Sequence, residues 1–214
     1  MDGQDTLNDY RVPHLEDLIN EVINPIPNKS QEWTVCYLLF HAVIYYFEYA
    51  VGAVHSQERG ALDHQPDGLL VGDGIDAYVH MATCLVLFER ALTHLRVASN
   101  RSFQDSDELK SLQSNYKDWK QIIRNKRNRF VHPEEDMTKG PDARFYIMQK
   151  RSWTTWHDNG AFDAGLRQVS IQEPTKSELI ELTPRKDLER LREYLSEVPK
   201  AMRTEIERVA FSNS

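Results

Sequence analysis

Several things are scarce in this sequence, and each scarcity removes a class of protein. Its 214 residues include only two cysteines, Cys36 and Cys84, with nine glycines and nine prolines. Both thiols lie inside apolar patterns, which predicts buried free thiols in a reducing compartment rather than a disulfide scaffold. So little glycine and proline argues against a loop-rich all-β or collagen-like chain. Phosphate-cradling glycine loops, zinc-finger spacing, internal repeats, low-complexity tracts and a readable Ser-His-Asp arrangement are all missing. The N-terminus is acidic and has no apolar core of a secretory signal, so the expectation is a cytoplasmic protein. Basic charge is also short. Against 33 Asp and Glu stand 26 Lys and Arg, a net charge of −7 that excludes a basic nucleic-acid coat.

What is present is a globular composition, 40% hydrophobic and 28% charged. The length suits one large domain or a domain with an insertion, since domains commonly run to ~100–200 residues. Residues 1–12 read as an acidic flexible arm, and residues 13–214 as a single helical domain. Net −5 lies in residues 2–21, where Arg11 alone faces Asp2, Asp5, Asp9, Glu16, Asp17 and Glu21.

Helical periodicity then runs along most of the chain. Leu15, Leu18, Ile19, Val22 and Ile23 mark a first helix, stopped by Pro25 and Pro27. Ser30 caps a strongly apolar helix over about 31–57, its stripe carrying Tyr37, Phe40, His41, Ile44, Glu48 and Val51. Thr34 to Val54 is almost long enough to span a bilayer, but His41 and Glu48 interrupt it. A buried central helix is the expectation, with no membrane partner. Glycines and aspartates at 60–74 suggest a connection. A third helix opens at Asp73 or Asp76 and runs to about Ala98. A fourth covers about 106–131 and ends near His132, because Pro133 disfavours helical dihedrals there.

The pattern then changes. Phe145 to Met148, Trp153 to Trp156, and Leu166 to Ile171 read as extended segments, with Asp158-Asn159-Gly160 as a turn. These place a small β insertion at about 144–172. From Pro184 the helical pattern returns, and Pro199 is expected to kink or end it. The fold class expected is mainly α: an antiparallel helical bundle with a small β-hairpin or sheet before the C-terminal helix.

One segment carries chemistry. From Lys117 to Arg129, Lys117, Lys120, Arg124, Lys126, Arg127 and Arg129 oppose Asp118 alone, net +5 in an acidic chain. Such a patch suits phosphate. Arg124, Asn128 and His132 follow at intervals of four and share one helical face. Arg127 brings a planar fork of donors that matches a phosphate. His132, at the helix end, can titrate near its ordinary ~6.5 and serve as acid or base.

The run Arg127-Asn128-Arg129-Phe130-Val131-His132 resembles the Arg-x(4–6)-His signature of the HEPN superfamily, the higher eukaryotes and prokaryotes nucleotide-binding domains. The resemblance implies a helical bundle and a metal-independent endoribonuclease without cofactor. It implies a homodimer, with two motifs facing across a composite cleft, and single-stranded RNA or tRNA as substrate. It also implies a toxin or antiviral-defence setting, in which an antitoxin or defence-system protein is a possible partner. In such a site His132 deprotonates the ribose 2′-hydroxyl, leaving a 2′,3′-cyclic phosphate. Arg127 stabilises the transition-state charge and Asn128 orients the histidine or the phosphate. Arg124, Lys126, Arg129 and Lys120 contact RNA. Glu48 and Glu89 are candidates for the polar residue that many members supply from an earlier helix, or for structural ion pairs. The alternative is a non-catalytic module that binds RNA or a partner protein.

Other candidates have plainer readings. His80 and Cys84 are four apart, a spacing usable for metal, but no second pair accompanies them and no metal is expected. His41 and the Tyr45-Tyr46-Phe47 run are expected in the core. Tyr146, Trp153 and Trp156 suit either base stacking or packing against a helix.

Overall fold

The structure, a computed structural model, describes residues 11–26, 29–63, 65, 67–99, 103, 105–131, 146–156, 162–170 and 177–211. It is mainly helical, a helical bundle with a small antiparallel sheet before the last helix. Helix α1 (Pro13–Asp17) starts on a proline, whose missing N–H costs nothing at a first turn, and widens into π-helical turns over Leu18–Ile23. There the amide of Asn24 reaches back five residues to the carbonyl of Ile19, at 2.8 Å. Leu15, Leu18, Ile19, Val22 and Ile23 are all buried, as their spacing requires.

Helices α2 (Gln31–Leu62) and α3 (Asp67–Ala98) are each 32 residues long. The connection expected at 60–74 is therefore mostly helix. Gly60 and Gly74 are packing residues rather than turn residues. A methyl group on Gly60 would lie 2.9 Å from side-chain ends of both Gln65 and Leu70, which would have to shift to admit it. By length and composition α2 and residues 69–98 of α3 are each apolar enough to cross a bilayer, a test that core helices of soluble proteins also pass.

The helix expected over 106–131 is two. Ser106 caps α4 (Asp107–Asn115) by accepting from the amide of Leu109 at 3.1 Å. The chain turns at Tyr116, and α5 (Lys117–Val131) follows. Strands β1 (Tyr146–Trp156), β2 (Phe162–Ser170) and β3 (Ser177–Glu181) form an antiparallel sheet in that order. The two extended segments expected at 145–156 are one strand, whose register against β2 slips between Ile147 and Arg151. Strand β3 was not expected, because Ser-Glu-Leu-Ile-Glu does not alternate. The insertion thus extends beyond residue 172. The expected arm and the turn at 158–160 lie outside the described residues, apart from Arg11 and Val12. Helix α6 (Arg185–Phe211) contains Pro199 without ending there.

The chain forms two compact units that interleave in sequence. The first comprises residues 1–48, 81–120 and 188–214, the second residues 49–80 and 121–187. Aromatic rings fill the core of the first: Phe40 meets Phe88 edge-on at 5.7 Å, Phe88 meets Tyr194 at 5.4 Å, and Tyr194 meets Tyr116 at 5.1 Å. Phe47 joins that core, whereas His41 and Tyr45 are exposed, against expectation. Helix α2 is apolar on more faces than its neighbours cover.

Gln57 organises the second unit. It is buried, and its side-chain Nε2 donates to the carbonyls of Leu70 at 2.8 Å and Leu182 at 2.9 Å. One amide thus joins α2, α3 and the chain leaving β3. Arg185 also pairs with Glu58, fixing the start of α6 to α2.

Candidate functional site

Helix α5 changes character along its length. Trp119 and Ile123 are buried, after which Arg124, Lys126, Arg127, Asn128 and Arg129 are all half-buried and Asn125 is exposed. A helix anchored by two buried apolar side chains and basic beyond them offers a partly desolvated cationic surface at that end. Cations also suit that end through the helix dipole.

The basic side chains have different surroundings. In the first unit Lys120 is only 12% exposed. Its ammonium is 3.2 Å from a carboxylate oxygen of Glu89 and 5.1 Å from the ring centre of Tyr194. Glu89 is thus an ion-pair partner, one of the two roles open to it, and Glu48 is exposed. In the second unit the Lys126 ammonium donates to the hydroxyl of Tyr78 at 2.7 Å and lies 3.4 Å from Asp187. The Tyr78 hydroxyl in turn donates to Asp187 at 2.8 Å. Burial holds the Tyr78 phenol far above the ordinary tyrosine range, and the neighbouring carboxylate of Asp187 adds to the effect.

Arg127 and Asn128 meet directly. The guanidinium Nη1 donates to the amide oxygen of Asn128 at 3.0 Å. With that oxygen turned to the arginine, what Asn128 offers a phosphate is its NH2 group. Gln121 makes a similar contact with Asn125, at 2.8 Å, one turn earlier. Helix α5 reaches Val131, and His132 lies outside the described residues. Two of the three expected catalytic residues are thus side by side on the helix end that precedes the third.

Packing accounts for the surroundings of the two thiols and of His80. Cys84 donates to the carbonyl of Val43 at 3.5 Å, and burial pushes its thiol well up. Cys36 donates to the carbonyl of Ala91 at 3.6 Å, and burial pushes it up to about 12. Protonated buried thiols are poor nucleophiles and poor metal ligands. His80 stacks on Tyr49 at 5.3 Å, and burial lowers its pKa despite the opposing charge of Asp76. Among the described residues no three His, Cys, Asp or Glu side chains group as a metal site. Tyr146, Trp153 and Trp156 all fall in β1, with Trp153 opposite Gly165 and Trp156 opposite Phe162.

Sequence reasoning missed Tyr78 and Asp187. Each is an ordinary member of a helical pattern, and they lie 48 and 61 residues from Lys126 in the chain. Only a fold joins them. Comparison of the chain with protein-family models, curated proteins and solved structures returns no match.

Proposed function

We propose that the chain is a metal-independent endoribonuclease with its site at the end of α5. The observation that carries this is the contact of Arg127 with Asn128, 3.0 Å apart, amid half-buried arginines directly before His132. In this reading the imidazole of His132 takes the proton from a ribose 2′-hydroxyl. The resulting oxygen attacks the adjacent phosphorus, and the 5′-oxygen leaves. Arg127 neutralises charge that grows on the phosphoryl oxygens, where a preorganised guanidinium is worth more than in water. Arg124 and Arg129 contact flanking phosphates. Lys120 and Lys126, engaged by Glu89 and Asp187, chiefly hold the helix. Toxin or antiviral-defence service and a homodimeric composite site follow from the HEPN resemblance.

The test is direct. Purified protein in excess chelator should cut single-stranded RNA or tRNA, leave single-stranded DNA intact, and produce 2′,3′-cyclic phosphate ends. His132→Ala and Arg127→Ala should each abolish cleavage. Intact RNA, or cleavage that needs a divalent ion, sinks the proposal. A strictly monomeric protein with full activity would contradict the composite site.

A second reading, a helical module that binds a partner protein, is favoured by Leu38 and Tyr45, exposed by 59% and 53% on α2. Capture of a partner that is lost on Leu38→Glu, with no cleavage of RNA, would support it.

A further inference from the structure

The second half of α5 poses a physical problem. From Arg124 to Arg129 every side chain is polar or charged, so the direction of these side chains depends on the polar contacts they make as well as on the apolar anchors Trp119 and Ile123 one to two turns earlier. At 100° per residue, a small rotation redirects every side chain on it. Arg127 is next to Lys126 in sequence, and Asn128 is two positions on. Fixing the direction of Lys126 therefore fixes theirs.

Lys126 is fixed from three sides. Its ammonium donates to the Tyr78 hydroxyl at 2.7 Å, lies 3.4 Å from Asp187, and sits 4.3 Å from the centre of the Tyr78 ring. Tyr78 is itself fully buried and bonded to Asp187 at 2.8 Å. The three residues belong to α3, α5 and the first turn of α6, all within the second unit. The lysine side chain is 23% exposed and the aspartate 20%, so the pair is shielded from solvent and salt.

We infer that Lys126, Tyr78 and Asp187 form a positioning network that sets the rotation of the end of α5 and thereby aims Arg127 and Asn128 at the scissile phosphate. The inference rests on the ribonuclease reading above. Lys126 is a positioning residue here, not a phosphate ligand. Misaiming a catalytic group by about an ångström lowers turnover while leaving ground-state binding largely intact.

The experiment uses the full chain with Lys126→Met and Tyr78→Phe, the latter keeping the ring and its packing. For each, kcat and KM on single-stranded RNA are measured together with backbone amide hydrogen exchange. The expected result is a fall in kcat of about tenfold or more with KM within about twofold, and partial recovery in Lys126→Arg. Exchange should speed up about tenfold over 127–131 while α4 keeps its wild-type protection. A raised KM with unchanged kcat makes Lys126 a direct phosphate contact and overturns the inference. Unchanged exchange in both variants of an active enzyme overturns the positioning role alone. A wild-type chain inactive on RNA overturns the ribonuclease reading and the role in that reaction together.

Discussion

Gly74 and Gln57 compete for the same space. A methyl group on Gly74 would stand 2.6 Å from Nε2 of Gln57 and 3.2 Å from the carbonyl oxygen of Leu182. That nitrogen is the donor that holds Leu70 and Leu182, so it cannot move aside without breaking two hydrogen bonds. Gly74→Ala should therefore cost about 1–3 kcal/mol in urea unfolding, although alanine favours helix. Gly72 supplies the control: it lies in the same helix with nothing within 4 Å of the added carbon. Gly72→Ala should stabilise by about 0.5–1 kcal/mol. Equal effects at both sites would show that Gln57 does not pin this contact.

Stability should peak in a window bounded by buried groups. The two thiols ionise near 9.0 in an unfolded chain, and Tyr78 and Tyr116 near 10.0. In the folded chain burial holds Cys36 up to about 12 and Tyr116, beside Glu197, also up to about 12. Above pH 9 the unfolded state thus binds fewer protons than the folded one, and stability falls as pH rises. His80 works at the other end. Its folded pKa is below the ordinary 6.5, so the unfolded chain gains a proton first and stability falls as pH drops. Urea midpoints measured from about pH 5 to about pH 11 should be flat between these limits and decline on both sides. A midpoint that stayed flat above pH 10 would mean that the phenols and thiols ionise as readily in the folded protein as in the unfolded one. Thiol reagent at about pH 8 should likewise label neither cysteine until denaturant is added.

What the sequence disclosed was whatever its neighbours in sequence determine. The first-helix stripe from Leu15 to Ile23 is buried as its spacing demands, and Ser106 caps where the expected fourth helix begins. Gly60 and Gly74 misled because a glycine required by close packing has the same letter as one required by a turn. Strand β3 was hidden because pairing with β2, rather than its own alternation, makes it a strand. Tyr45 was expected in the core since hydrophobicity says that a residue can be buried, not that a neighbour will cover it. On α5, the basic run around Arg127 and Asn128 at the helix end was legible, whereas the contacts of Lys126 with Tyr78 and Asp187 depend on distant segments.

The lysines and arginines of α5 should separate in their response to salt. Lys120 is paired with Glu89 and 12% exposed, so it has little to give a phosphate. Lys120→Met should lower the thermal midpoint yet leave the salt dependence of RNA binding unchanged. Arg124→Ala and Arg129→Ala should each weaken binding and reduce the slope of log affinity against log salt by about 0.7–1. Titrations of single-stranded RNA at several salt concentrations measure this. A reduced slope for Lys120→Met would show that its ion pair opens to accept a phosphate.

Asn128→Asp separates a catalytic pairing of Arg127 with Asn128 from a merely structural one. The new carboxylate is close in size to the amide, and it accepts from the Arg127 guanidinium where the amide oxygen now accepts at 3.0 Å. A charged acceptor strengthens that bond, which offsets the ~0.3–1 kcal/mol cost of an acid near a helix C-terminus. Folding stability should hardly change. In the proposed site RNA chemistry should suffer twice: the guanidinium charge is offset, and an anion replaces the NH2 group proposed to meet the phosphate. The expected outcome is a fall in kcat/KM of about a hundredfold, with weaker RNA binding that high salt partly relieves, since salt screens the added repulsion. Asn128→Ala removes the amide without adding charge, so its binding defect should be smaller and its salt dependence close to wild type. If Asn128→Asp bound and cut RNA like the wild type, the contact would be helix-end packing and the site would have to be sought elsewhere on the chain.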